Sequence, residues 1–258
     1  MTSDLITSSD WLGLRGARVL VAGVGGIGAA CARGYADQGA SVLVVDRDHD
    51  KIQALKSAED GLTPLDGIVA DLTSEGEAAR VVDTAVERLG GLDVLLHSVG
   101  VNDRRPVLDF TVDDFEQMMR VNLVSAFSLA QAAGRHMTAA GKGRIVMVSS
   151  VSGLLAHAKH GPYAASKGGL NQLMRVMAHE WAASGVTVNA VAPGYVETHL
   201  TSDYLERPGV REDITALVPA GRLGTPGELV GPVLFLSSPH AAFVTGHVLY
   251  VDGGRTLV

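Results

Sequence analysis

Short apolar runs alternate with longer amphipathic stretches along almost the whole chain. Arg18-Val-Leu-Val-Ala22 has the character of a buried strand and ends at Gly23. Glycines recur at Gly25, Gly26 and Gly28, and helical spacing then runs from Ala29 to Gln38, stopped by Gly39. The same reading predicts strands at 41–46, 66–70, 92–97, 143–149, 186–192 and 246–251. Helices are predicted at 74–89, from an N-cap at Thr111 past Asn122 toward Ala140, from Gly161-Pro162 to about Ala183, and from Pro226 to about Leu236. Residues 198–221 carry no clean period. Seven strands joined by helices predict one Rossmann-type α/β fold, a doubly wound, seven-stranded parallel sheet with helices on both faces. No linker, repeat or low-complexity tract interrupts it, so 1–258 reads as one domain with an N-terminal tail at 1–13, of which Met1 to Asp10 are polar and acidic.

In such sheets the ligand sits beyond the carboxyl ends of the strands. Gly23, Asp46, Asp71, Ser98, Ser150 and Pro193 all fall at such ends. The first turn is Gly23-Val-Gly25-Gly26-Ile27-Gly28, between a strand and a helix, with Asp46 18 residues beyond Gly28. Glycines let backbone approach a pyrophosphate, and the helix start offers it free N–H groups. An acid at Asp46 would accept hydrogen bonds from adenosine ribose hydroxyls and repel a 2'-phosphate, which favours NAD over NADP. Arg47 is the opposing signal, because an arginine there can serve a 2'-phosphate.

A second cluster spans 150–167. Tyr163 and Lys167 lie one helical turn apart on one face, and Ser150 precedes Tyr163 by 13 residues. An ammonium near a phenol favours phenolate, so the spacing predicts a Tyr163 pKa lowered toward working pH. A tyrosine tuned this way can exchange a proton with an alcohol oxygen that Ser150 also hydrogen-bonds.

Composition narrows the classes. The chain has 258 residues, 47% hydrophobic and 19% charged, as expected of a soluble globular protein. A net charge of -7 leaves no basic excess for phosphate backbones, so no nucleic-acid partner is expected. A lone cysteine, Cys31, excludes an intrachain disulfide and suits a reducing, cytoplasmic compartment. No zinc-type spacing, signal-peptide pattern or membrane-length apolar run is expected to be at work, and no metal is expected.

Taken together, the glycine turn, Asn122 within Val-Asn-Leu, Ser150, Tyr163-Ala-Ala-Ser-Lys167, Pro193-Gly194 and Val251-Asp-Gly-Gly resemble the classical short-chain dehydrogenases/reductases over residues 14–254. The resemblance implies hydride transfer between NAD(H) and a secondary alcohol or ketone, with Tyr163 as general acid/base. Lys167 would lower the Tyr163 pKa and hold the nicotinamide ribose, Ser150 would polarise the substrate oxygen, and Asn122 would anchor a water linking Lys167 to solvent. Gly23, Gly25, Gly26, Ile27, Gly28, Asp46, Arg47, Ser98 and Gly100 would shape the cofactor site. Asp71 and Leu72 would meet the adenine, and Pro193, Gly194, Val196 and Thr198 would line the nicotinamide. Residues 198–221 would form a substrate lid, and the family suggests a homotetramer without membrane attachment.

Two departures stand out. Only two residues separate Gly23 from Gly26-Ile-Gly, one fewer than usual, which resembles the NAD-favouring insect alcohol dehydrogenase branch; Ala22 stands where the family usually has threonine, so one supporting hydrogen bond is absent. His97-Ser98-Val99-Gly100 replaces the usual Asn-Asn-Ala-Gly. His157, His160 and the Arg104-Arg105 pair read as solvated loop residues, His97 as a packed strand end, and Met118, Met119, Met174 and Met177 as core or subunit contacts. The lid composition leans toward a small or medium polar substrate, sugar-like or a hydroxy acid. A 3-oxoacyl-carrier-protein-type NADPH reductase and a non-catalytic dinucleotide-binding regulator are the alternatives.

Overall fold

Period-two alternation decides which side of the sheet each strand residue faces. In strand β1 (Arg18–Ala22), Leu20 and Ala22 join one apolar layer while Val19 and Val21 join the other. Both faces are apolar because both are covered, as a parallel sheet requires. The computed structural model describes residues 10–57, 63–198 and 201–258. Residues 1–9 of the expected tail, and His199 and Leu200 of the expected lid, lie outside them.

The chain continues through α1 (Gly26–Asp37), β2 (Ser41–Asp46), α2 (His49–Ser57), β3 (Asp66–Val69), α3 (Glu77–Leu89) and β4 (Val94–His97). Next come α4 (Val112–Met119), a π-helical turn (Arg120–Val124), α5 (Ser125–Ala140), β5 (Gly143–Val148) and α6 (Gly161–Trp181). β6 (Val186–Pro193), α7 (Ser202–Leu205), α8 (Val210–Ala216), α9 (Gly227–Ser237) and β7 (Val248–Val251) complete it. All seven strands are parallel, in the order β3-β2-β1-β4-β5-β6-β7. The expected doubly wound sheet is therefore the observed one. Its order reverses between β1 and β4, which opens a crevice at their carboxyl ends.

Leu95, Ile145 and Val188 pack under Val81 of α3, Leu129 of α5 and Met174 of α6. On the other face Val44, Leu96 and Val146 pack under Tyr35 of α1 and Val233 of α9. Each fully buried Leu or Val contributes roughly 1.5–3 kcal/mol. Met118, Met174 and Met177 are buried, as expected. Tyr35 brings a large polar ring into this layer, and its hydroxyl is satisfied by Ser237 Oγ at 2.6 Å.

Differences from the sequence expectation have local causes. α1 starts at Gly26, three residues before the predicted Ala29, because the glycine turn itself winds into its first turn. α2, which the sequence reading leaves unassigned, has only Ile52 and Leu55 buried, too sparse an apolar stripe to stand out. At the predicted Thr111 N-cap a full capping box forms: Thr111 Oγ1 accepts from the Asp114 amide at 3.1 Å, and Asp114 Oδ2 accepts from the Thr111 amide at 3.0 Å. The single long helix expected beyond it is divided by the π turn that contains Asn122.

Candidate active site

The glycine turn is built for close backbone approach. Gly23 has φ +83°, and a Cβ there would lie 2.7 Å from the Val99 amide nitrogen. A Cβ on Gly28 would overlap the Gly23 carbonyl oxygen, so the third glycine lets α1 dock onto the end of β1. Gly25 differs: a Cβ there would meet nothing within 4 Å, because it faces open space. Gly25 caps α1 without any side-chain hydrogen bond, and no acid occupies the first turn. The first amides of α1 are thus free for an anion, and this cradle fits a dinucleotide pyrophosphate.

Asp46, at the end of β2, reaches back to this turn. Its Oδ2 accepts from the Val24 amide at 2.9 Å and its Oδ1 from the Asp48 amide at 3.0 Å. The carboxylate thereby braces the short loop, a role the sequence did not reveal. Asp71 Oδ1 accepts from the Thr73 hydroxyl at 2.7 Å and the Thr73 amide at 2.9 Å, which hold its carboxyl below its ordinary range. Arg47 adds a smaller pull in the same direction.

A cleft of about 720 Å³ runs from Asp46 and Asp71 past the glycine turn to Ser150, Tyr163 and Lys167. Arg47, Leu72, Ser98, Gly100, Pro193, Gly194, Val196 and Thr198 line it, as do Gly23, Gly25, Gly26 and Ile27. Of the residues anticipated from sequence, only Gly28 and Asn122 stand behind its wall. Asn122 is fully buried: Oδ1 accepts from the Val101 amide at 2.8 Å, and Nδ2 donates to the Val101 carbonyl at 2.9 Å and to Ser166 Oγ at 3.0 Å. It fastens the π turn to the loop after β4. A Cβ on Gly100 would lie 3.5 Å from both Asn122 Oδ1 and Lys167 Nζ, so this loop position packs directly against the two side chains.

β5 delivers Ser150, whose Oγ accepts from the Ser152 amide at 3.1 Å. α6, opened by Pro162, carries Tyr163 and the buried Lys167 on one face. Lys167 Nζ donates to the Val148 carbonyl at 2.9 Å and lies 5.8 Å from the Tyr163 ring centre. Burial lowers the Lys167 pKa to about 8. Tyr163 departs from the sequence expectation, since its pKa is raised. Burial is the largest cause, and it exceeds the opposing pull of the Ser150 hydroxyl and of the Arg104 charge. Spacing alone places Lys167 beside Tyr163, but it cannot show how strongly the surrounding protein desolvates the phenol.

The two histidines also differ from the solvated-loop reading. His160 is 7% exposed, and both His157 and His160 line the cleft. Arg105 does pair at the surface, with Asp103 at 2.9 Å and Asp114 at 2.8 Å. Arg104 turns inward to the cleft instead. Its partner His160 lies 56 residues away in sequence, beyond the reach of local pattern. His97 is a packed strand end, as expected, with Nε2 3.1 Å from Ser125 Oγ. Ser125 donates to the Val121 carbonyl at 2.6 Å, so Nε2 carries the proton and buried Nδ1 lacks a partner among the described residues. No cluster of metal-ligating side chains occurs among the described residues, and no helix there is long and apolar enough to cross a membrane.

Comparison with known proteins places this geometry. A galactitol 2-dehydrogenase (L-tagatose-forming) of Cereibacter sphaeroides is 38% identical over 247 residues, covering 95% of this chain and 96% of its own. A gluconate 5-dehydrogenase of Gluconobacter oxydans is 36% identical, covering 96% and 98%. The crystal structure of a gluconate 5-dehydrogenase from Burkholderia cenocepacia, in complex with NADP and tartrate, superposes with a TM-score of 0.90 at 37% identity, over 96% of this chain and 98% of that one. The family model described as enoyl-(acyl carrier protein) reductase matches residues 21–256. With this match over nearly its whole length and the sheet order observed, the chain belongs to the classical short-chain dehydrogenase/reductase family.

Proposed function

We propose that this protein interconverts a secondary alcohol and its ketone by hydride exchange with a nicotinamide dinucleotide, and that Tyr163 moves the proton. The observation that carries the reading is the convergence of Ser150, Tyr163 and Lys167 on the cleft that also holds the glycine turn. When bound, the nicotinamide ring supplies or accepts the hydride. Tyr163 gives its proton to the ketone oxygen in reduction and recovers it in oxidation. Ser150 hydrogen-bonds the same oxygen and holds it against the phenol. Lys167, wired to Val148, holds positive charge beside the ionising phenol and passes the proton on. The names of the relatives, dehydrogenases of a polyol and of a sugar acid, support a polar secondary alcohol as substrate.

Asp46 suits the free ribose hydroxyls of NAD, while Arg47 supplies charge for the 2'-phosphate of NADP. A relative's structure holds NADP, so that dinucleotide stands level with NAD, in contrast to the preference for NAD that Asp46 implies from sequence. Residues 201–221, with α7 and α8, act in this reading as the lid. The exposed Phe115, Phe127 and Val176 on α4, α5 and α6 support self-association through these helices; four copies is what the family resemblance implies.

A panel of secondary alcohols and ketones, each with NAD(H) and NADP(H) and read at the nicotinamide absorbance, tests the proposal. Turnover of a polar alcohol supports it. A panel silent throughout, with dinucleotide still bound, supports the regulator instead. The description of the matching family model, an enoyl-(acyl carrier protein) reductase, supports a carrier-linked acyl substrate as the second reading, which an enoyl and a 3-oxoacyl thioester in the panel test.

A further inference from the structure

Near Tyr163 the cleft holds a charged side chain, Arg104, that proton transfer does not require. Arg104, in the loop after β4, is part-buried at the cleft wall, and its Nε donates to His160 Nε2 across 3.0 Å. The guanidinium lies over the Tyr204 ring, 4.1 Å from its centre. His160 is itself fixed, since its Nδ1 lies 3.1 Å from the Ala158 carbonyl. With Nδ1 donating there, Nε2 is the acceptor, and a neutral imidazole orients the arginine. Arg104 is therefore clamped at Nε and on one π face.

Its other edge is open. The terminal nitrogens of Arg104 make no hydrogen bond to any described residue, and no carboxylate pairs with it among those residues, in contrast to neighbouring Arg105. Arg255 adds charge on the same side, close to His157 and Tyr195. The wall is thus cationic in a chain whose net charge is -7. Burial disfavours the Arg104 cation, and a bound anion offsets that cost. A planar edge of two N–H donors matches the two oxygens of a carboxylate. The rings of His160 and Tyr163 are 6.0 Å apart, so the imidazole that orients Arg104 neighbours the phenol.

We propose that the substrate carries a carboxylate beside its secondary alcohol or ketone, that Arg104 binds the carboxylate, and that His160 and Tyr204 position Arg104. This names the substrate class of the oxidoreductase reading and rests on it.

The test compares kcat/KM for a linear hydroxy acid, a ring hydroxy acid and an aldonate with that for their methyl esters or the matching polyol. The native enzyme should prefer the acids about 10- to 100-fold, as a charge-assisted hydrogen-bonded pair implies. Arg104→Gln should abolish the preference, chiefly through KM, and Arg104→Lys should keep part of it. His160→Leu should weaken it, and His160→Gln, which can still accept from Nε, should restore it. Native enzyme that treats acid and ester alike, or that prefers a 3-oxoacyl thioester, overturns the proposal, as does an unmoved ratio in Arg104→Gln. A second measurement needs no turnover: cyclohexanecarboxylate, but not cyclohexanol, should raise the melting temperature of dinucleotide-loaded protein, and Arg104→Gln should lose the shift. No shift in the native protein overturns the carboxylate site. A shift without turnover of any substrate keeps the site and overturns the oxidoreductase reading.

Discussion

The Asp46 carboxylate accepts a hydrogen bond from the Val24 amide across 2.9 Å, tying the end of β2 to the glycine turn after β1. One side chain thereby shapes the glycine turn and stands where the proposed reading puts the adenosine ribose. Asp46→Asn keeps the shape and an acceptor but removes the charge. The kcat/KM ratio of NADP to NAD should rise about tenfold. An unchanged ratio would show that the carboxylate serves the loop alone.

The glycines separate fold from binding. Gly28→Ala drives a methyl into the Gly23 carbonyl and should destabilise the protein by roughly 2 kcal/mol or more. Gly25→Ala meets no protein atom, so its melting temperature should match the native value. That methyl enters the space proposed for the pyrophosphate, and dinucleotide affinity should fall about tenfold or more. Thermal melts with and without dinucleotide distinguish the two positions, and equal behaviour would contradict the cradle.

Much of this was legible in sequence because it depends on local pattern. Leu20 and Val21 announce a strand covered on both faces, Pro162 announces the start of α6, and the interval from Ser150 to Lys167 spans the proposed proton-transfer set, from the end of β5 to the first turns of α6. Asp46 was found, but its bond to Val24 was not, because that contact depends on loop closure across two strands. The inward turn of Arg104 and the burial of His160 depend on packing between distant segments. The direction of the Tyr163 pKa escaped for a related reason: spacing reports the neighbouring charge, and desolvation is set by the whole fold.

Lys167 links pH to both stability and rate. Its folded pKa of about 8 lies below its unfolded value near 10.4. Between these values the unfolded chain binds more protons, so this group adds stability as pH rises through the window. Lys167→Met should remove that rise and remain folded, since it deletes a buried charge. Alcohol oxidation should fall about 100-fold or more, with its pH midpoint displaced upward. Denaturant titrations across the window, with pH–rate profiles, check both; native-like oxidation by the variant would exclude Lys167 from proton transfer.

His97 should govern acid sensitivity. Full burial lowers its pKa from 6.5 to about 3, so the folded protein keeps it neutral. Between these values the unfolded chain binds the extra proton, and stability falls as pH falls, by about 1.4 kcal/mol per pH unit. His97→Asn removes that titration. From pH 7 to pH 5, urea unfolding should show the native protein losing about 2 kcal/mol more than the variant. Parallel losses would assign the acid sensitivity to other groups.

The phenol of Tyr163 can be tested most directly by deleting its oxygen alone. Tyr163→Phe, assayed on a substrate that the native protein turns over, should lose at least about 100-fold in kcat. Dinucleotide titrated by fluorescence should still bind it within about threefold of the native affinity, a difference below 1 kcal/mol. Turnover at the native rate with the phenylalanine in place would contradict the proposed chemistry.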